Sequence, residues 1–205
     1  MSIRTLSHAL LATSTLGALV TLGSAPVLAQ SGPYTNTGNI IVAPVPGRAA
    51  VELVNLNGAF FNTETGMISG FNGVRIDGMS ADRFINAGSI SGIGGMGVMI
   101  EGGATGVTIQ NDGLISATGA VGVWVGSTSR ARGLINTGTI QSDMMAIRIA
   151  NGMDASLINR GTIAGSVFVR DIRGRFQNEG DITANVNAVQ IVTLGGDFTN
   201  SGTIS

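Results

Sequence analysis

Nucleophilic and general-base chemistry needs side chains that this chain scarcely has. It holds one His, His8, no Cys and no Lys, so its eleven basic residues are all Arg. His8 falls in an N-terminal segment expected to be removed. A Ser-His-Asp or Cys-His mechanism then has no base or nucleophile to draw on, and a His- or Cys-based zinc site has no ligands. Carboxylates, Arg and hydroxyls remain. Asp77, Asp112, Asp143, Asp154, Asp181 and Asp197 mostly stand beside Gly, where Asp bonds nearby backbone in turns. No carboxylate pair recurs at one repeat position, so no catalytic residue, metal or cofactor is expected.

Two glycine motifs carry little more. Gly92-Ile93-Gly94-Gly95-Met96-Gly97 has the letters of a dinucleotide-binding loop, but that chemistry needs a strand before it and a helix after it. Here a strand-like segment follows at Val98, and the motif reads as a corner. Gly195-Gly196-Asp197 is a single fragment of a calcium-binding nonapeptide, whose chemistry needs tandem copies. The Arg residues are scattered and the net charge is −1, which leaves no electrostatic footprint for nucleic acid.

The side chains that remain of interest are set by a repeat. Val51-Glu52-Leu53, Val74-Arg75-Ile76, Val98-Met99-Ile100, Val123-Trp124-Val125, Ile147-Arg148-Ile149, Val167-Phe168-Val169 and Val189-Gln190-Ile191 return every 20 to 25 residues. A period of two within each unit means a strand with its outer pair on one face and its middle residue on the other. The outer pair is always aliphatic and should face a core. The middle residues form an exposed stripe in which Met99, Trp124 and Phe168 are apolar, with Arg75 and Arg148 at the rim. Trp and Arg are enriched at binding hot spots, and exposed apolar patches often mark interaction surfaces. Arg75, Met99, Trp124, Arg148 and Phe168 are therefore the candidate interaction face.

Between these units runs a corner pattern, Asn-x-Gly-x-Ile. Its clear copies place Asn86 with Gly88, Asn111 with Gly113, Asn136 with Gly138, Asn159 with Gly161, Asn178 with Gly180 and Asn200 with Gly202, and Asn36-Thr37-Gly38 is an outlying copy. Gly is expected to turn the chain with φ above zero, and stacked Asn side chains can bond along the axis as a ladder. The pattern alone does not say whether these amides point in or out. A third column precedes each Asn: Arg83-Phe84-Ile85, Val107-Thr108-Ile109, Gly133-Leu134-Ile135, Ser156-Leu157-Ile158, Arg175-Phe176-Gln177 and Asp197-Phe198-Thr199. Three strand-like pieces and three corners per repeat predict an all-β fold, a parallel β-helix of about seven coils. At a strand separation of about 4.8 Å the rod is on the order of 35 Å long. Helical repeats are disfavoured by β-branched residues at a spacing of two and by recurrent Gly.

Residues 1–29 read as a secretory signal peptide, with Arg4 and His8 before an apolar stretch and Val27-Leu28-Ala29 preceding the expected cleavage point. Residues 30–50 contain Pro33, Pro44 and Pro46, which cannot donate to a central ladder, and read as an irregular N-terminal cap. The β-helix is expected over 51–205, ending in mid-coil. Gly is 32 of 205 residues, roughly twice the usual ~7%, and charged residues are 11% against a typical ~25%.

The signal peptide, the absence of Cys, the abundant Gly and the Ile-Asn-x-Gly-Thr-Ile units at 135–140 and 158–163 resemble the passenger region of Gram-negative autotransporters. That resemblance covers residues 51–205. It implies a right-handed helix and display at the cell surface or in the extracellular space, with adhesion or self-association as the expected role. It implies partners among surface proteins, glycans or other copies of the chain. It also implies an outer-membrane β-barrel translocator, for which this sequence holds no counterpart. A polysaccharide-active β-helix enzyme and a two-partner or filament-type adhesin are the alternatives.

Overall fold

An amphipathic strand of three residues cannot bury its aliphatic pair alone, so each repeat needs the one before it. The computed structural model describes residues 20–22, 27–29, 32–80 and 83–205, and it solves this problem by stacking. Among the described residues there are 23 strands in one continuous sheet and no helix. The coils pair in parallel with their neighbours and build a β-solenoid of about seven turns.

Each coil has three faces. The Val-x-Ile strands form one, in the register Val51, Val74, Val98, Val123, Ile147, Val167, Val189. The strands before the Asn form a second, with Tyr34, Phe60, Phe84, Ile109, Leu134, Leu157 and Phe176 stacked through the interior and Phe198 continuing the column as an exposed ring. The third carries Ile40, Ile68, Ile90, Ile115, Ile140, Ile163, Ile182 and Ile204. In two coils the third-face and Val-x-Ile strands run on without a break, as Thr139–Ile149 and Thr162–Ile172.

The aliphatic pairs of the Val-x-Ile column are buried from Val51 to Val169. Each such side chain contributes roughly 1.5–3 kcal/mol when taken from water. Val189 and Ile191 are only half-buried. The second face is filled at its start by aromatic rings: Tyr34 stacks on Phe60 at 5.3 Å between centroids and Phe60 on Phe84 at 4.5 Å. Branched aliphatics then take over until Phe176 stacks on Phe198 at 4.8 Å.

The Asn side chains point inward. Asn36, Asn62, Asn86, Asn111, Asn136, Asn159 and Asn178 are at most 1% exposed. Each donates from Nδ2 to Oδ1 of the Asn one coil later at 2.7–2.8 Å, down to Asn200. The same amide group also meets carbonyls, as Asn136 does at Gly138 (3.1 Å) and at Thr162 in the next coil (3.2 Å). A buried amide left unpaired costs about 1–3 kcal/mol, and the ladder leaves none of these unpaired.

Three expectations are corrected, and the ladder includes an Asn that the corner pattern did not. The corner glycines Gly88, Gly113, Gly138, Gly161, Gly180 and Gly202 are not among the positive-φ residues. They are small because a Cβ at each would overlap the carbonyl oxygen of the corner Gly one coil earlier. The segment 30–50, expected as an irregular cap, holds the strands Tyr34–Asn36 and Asn39–Val42, in register with later coils. Its prolines lie outside both strands. Asn62 belongs to the ladder although two extra residues separate it from Gly66. Thr108-Ile109-Gln110, not Val107-Thr108-Ile109, is the unit aligned with Arg83-Phe84-Ile85.

Of the segment read as a signal peptide, residues 1–19 and 23–26 lie outside the described residues. Val20–Leu22 pairs with Ile40–Val42, and Val27–Ala29 pairs with Glu52–Val54.

Candidate functional site

The alternation that sends Val and Ile inward fixes where the middle residues go. Parallel register then lines them up: Arg75 lies beside Met99, Met99 beside Trp124, Trp124 beside Arg148 and Arg148 beside Phe168. All five proposed interaction residues thus form one outward column on the Val-x-Ile face. Arg148 is exposed and the other four are half-buried.

Their environments differ. Arg75 donates from Nη1 to Glu52 and from Nε to Glu101, both at 2.6 Å, and reaches Asp77 at 3.4 Å. Burial pulls its pKa down, but the hydrogen bond and charge of Glu101, with Glu52 and Asp77, outweigh that and hold it above the ordinary value. Arg75 is therefore a bridge between three coils rather than an unpaired rim cation. Arg148 has no carboxylate partner among the described residues, and neither does Arg170, two positions beyond Phe168 on the same strand and exposed.

Trp124 lies down on the sheet. A Cβ at position 126 would come within 3.0 Å of its six-membered ring, so the indole crosses Gly126. The neighbouring position in the next coil is Ala150, whose N–H donates to the Val125 carbonyl at 3.0 Å. Small residues at 126 and 150 keep the surface low beside Trp124 and Arg148.

The repeat-corner residues do not join this surface. Asn86, Asn111, Asn136, Asn159 and Asn178 are buried, and their role is the ladder. The carboxylates are dispersed or engaged. Arg130 donates from Nε to Asp154 and from Nη2 to Asp171 (2.8 Å), while Arg173 donates to Asp154 at 3.1 Å. The hydrogen bonds from Arg130 to Asp171 and Asp154 raise its pKa. Asp112 accepts from Gln110 at 2.7 Å and from Thr137 at 2.5 Å. Among the described residues no group of three or more His, Cys, Asp or Glu is arranged to hold a metal. Of the Gly92–Gly97 motif, Gly92 and Ile93 end the strand Ser89–Ile93 and residues 94–97 make the corner before Val98–Glu101.

A second apolar column was missed in the sequence. Phe61, Ile85, Ile135 and Ile158 are the outward residues of the strands before Asn, interrupted by Gln110. Phe61 is 37% exposed and the three Ile are half-buried. Their signal was available as the residue immediately before each Asn.

Together the geometry defines a parallel β-solenoid with one outward column of mixed aromatic and cationic residues. Comparison with family models, with curated proteins and with solved structures finds no match to this chain.

Proposed function

We propose that the chain is an exported, surface-displayed scaffold of the autotransporter-passenger kind, which acts by binding. Its role is adhesion or self-association through the Met99, Trp124, Arg148 and Phe168 column. The observation that carries this reading is the in-register alignment of those four residues on one outward face. An amphipathic sheet placed against solvent has no structural need for Trp and Phe there, and aromatic and Arg side chains are the types that dominate binding energy. Cys-free coils stabilised by local stacking suit passage across an envelope, as the passenger resemblance implies.

The engagement of the clustered carboxylates by Arg75, Arg130 and Arg173 supports binding over hydrolysis or lyase chemistry. The test is export followed by attachment. Expressed from Met1 in a Gram-negative host, the chain should leave the cytoplasm with Gln30 as its new N-terminus. The purified product should adhere to cells, matrix or itself, and Trp124→Ala should weaken that adhesion about tenfold or more. Cytoplasmic retention with Met1 intact, or adhesion indifferent to Trp124→Ala, would overturn the reading.

A further inference from the structure

Resting on the reading of this column as a docking face, we infer that its occupant is a carboxylated polysaccharide, a polyuronate lying along the solenoid axis. The argument starts from what the face offers. Trp124 and Phe168 stand two coils apart with Arg148 between them in direct register. Adjacent coils are about 4.8 Å apart, close to the advance of a glycan chain per pyranose ring. A chain laid along the axis therefore meets ring, cation and ring in step with its own repeat.

The chemistry at each position fits that ligand. The six-membered ring of Trp124 reaches over Gly126, so the indole runs along the surface, where a sugar ring can pack its C–H face on it. Among the described residues Arg148 and Arg170 are exposed and without carboxylate partners, as are Arg48, Arg83, Arg132 and Arg175, but these two are the ones carried by the Val-x-Ile strands, where Arg75 is engaged. A guanidinium recognises a carboxylate through paired N–H donors. Two unpaired guanidinium groups beside two aromatic rings thus complement a polymer that carries one apolar ring face and one carboxylate per residue. Ala150 keeps the floor between Trp124 and Arg170 low enough for such a chain. The whole chain has a net charge of −1, so a polyanion is drawn here by this local pair and not by the overall field.

The experiment uses the full exported chain and follows the fluorescence of Trp124, the only Trp in the sequence. Polygalacturonate should produce a saturable change in intensity and position, and neutral dextran should produce none. By calorimetry, Arg148→Gln and Arg170→Gln should each weaken polygalacturonate binding about tenfold. Trp124→Ala should abolish it, while Trp124→Tyr should retain most of it; circular dichroism should show all four variants folded. Equal binding of dextran sulfate and polygalacturonate, unaffected by Trp124→Ala, would mean ion exchange only and overturn the inference. If Trp124→Ala abolishes attachment to cells or to other copies while polygalacturonate leaves the wild-type fluorescence unchanged, the polysaccharide inference falls and the docking-face reading stands. If neither attachment nor polysaccharide binding depends on Trp124, both fall.

Discussion

Asn111 donates from Nδ2 to Oδ1 of Asn136 at 2.8 Å, and Asn136 passes the same bond on to Asn159 at 2.8 Å. Each amide is both donor and acceptor within the buried interior, so one truncation leaves the Oδ1 of the next Asn without its donor. Asn136→Ala should cost about 1–3 kcal/mol, because the buried Oδ1 of Asn159 loses its donor while Nδ2 of Asn111 keeps the Gly113 and Thr139 carbonyls. Asn200→Ala, at the exposed end of the ladder, should cost under about 1 kcal/mol. Denaturant midpoints measured on the full chain check both. Equal losses at the two positions would mean that the ladder is not what the interior Asn residues provide.

Gly138→Ala separates steric closeness from backbone conformation. Gly138 has no positive φ, yet its Cβ would overlap the Gly113 carbonyl oxygen, and backbone cannot yield as a flexible side chain can. A loss of about 3 kcal/mol or more is expected. Gly103 is the converse case, with φ +79° and nothing within 4 Å of an added Cβ. There Ala should cost only about 1–2 kcal/mol, the strain of the left-handed region. A larger loss at Gly103 than at Gly138, measured by thermal or chemical unfolding, would restore the turn-based explanation.

The contrast also explains which features the sequence displayed. Val98 and Ile100 repeat with Val123 and Val125 because each coil solves the same burial problem, so the inward columns were legible as periodicity. Gly138 was legible as a recurrent residue but not in its reason, since the distance to Gly113 exists only after stacking. Asn62 escaped because two extra residues lengthen its corner before Gly66 while the ladder geometry absorbs them. Tyr34 was hidden by Pro33, Pro44 and Pro46, which mark corners here rather than the end of the solenoid, although the outlying copy Asn36-Thr37-Gly38-Asn39-Ile40 already pointed to a coil at this place. At the candidate site the column from Arg75 to Phe168 followed from alternation. The partners of Arg75 did not, because Glu52 and Glu101 approach it from two other coils, 23 and 26 residues away.

Tyr34, the only Tyr in the chain, should report the first aromatic stack through its ionisation. Burial pushes its pKa from 10.0 up to about 12. Because the folded value is the higher, the stabilisation is fully present below pH 10 and is lost as pH rises through about 12. A shift of that size corresponds to about 2–3 kcal/mol. Near-ultraviolet tyrosinate absorbance should therefore rise near pH 12 in the folded chain and near pH 10 in denaturant. Tyr34→Phe keeps the ring on Phe60 and should remove this alkaline loss of stability. A folded-state transition near pH 10 would mean that Tyr34 is solvated.

Arg130 should act as a staple across coils, and the choice of Arg should matter. Its guanidinium serves Asp154 and Asp171, which lie 24 and 41 residues further along the chain, and it also donates to the Asn151 carbonyl at 3.1 Å. Its side chain is 18% exposed against 66% for Arg173, the other cation of the cluster. Arg130→Met leaves Asp171 with only a 4.0 Å contact to Arg173 and should cost about 1–3 kcal/mol. Arg173→Met should cost less than about 1 kcal/mol, as exposed pairs do. Hydrogen exchange should place the Arg130→Met loss in residues 150–156 and 171–175, with the Asn ladder still protected. Arg130→Lys should recover little, because one ammonium cannot hold two carboxylates and a carbonyl in the planar arrangement that a guanidinium provides. Full recovery by Lys would reduce Arg130 to a point charge and remove the staple.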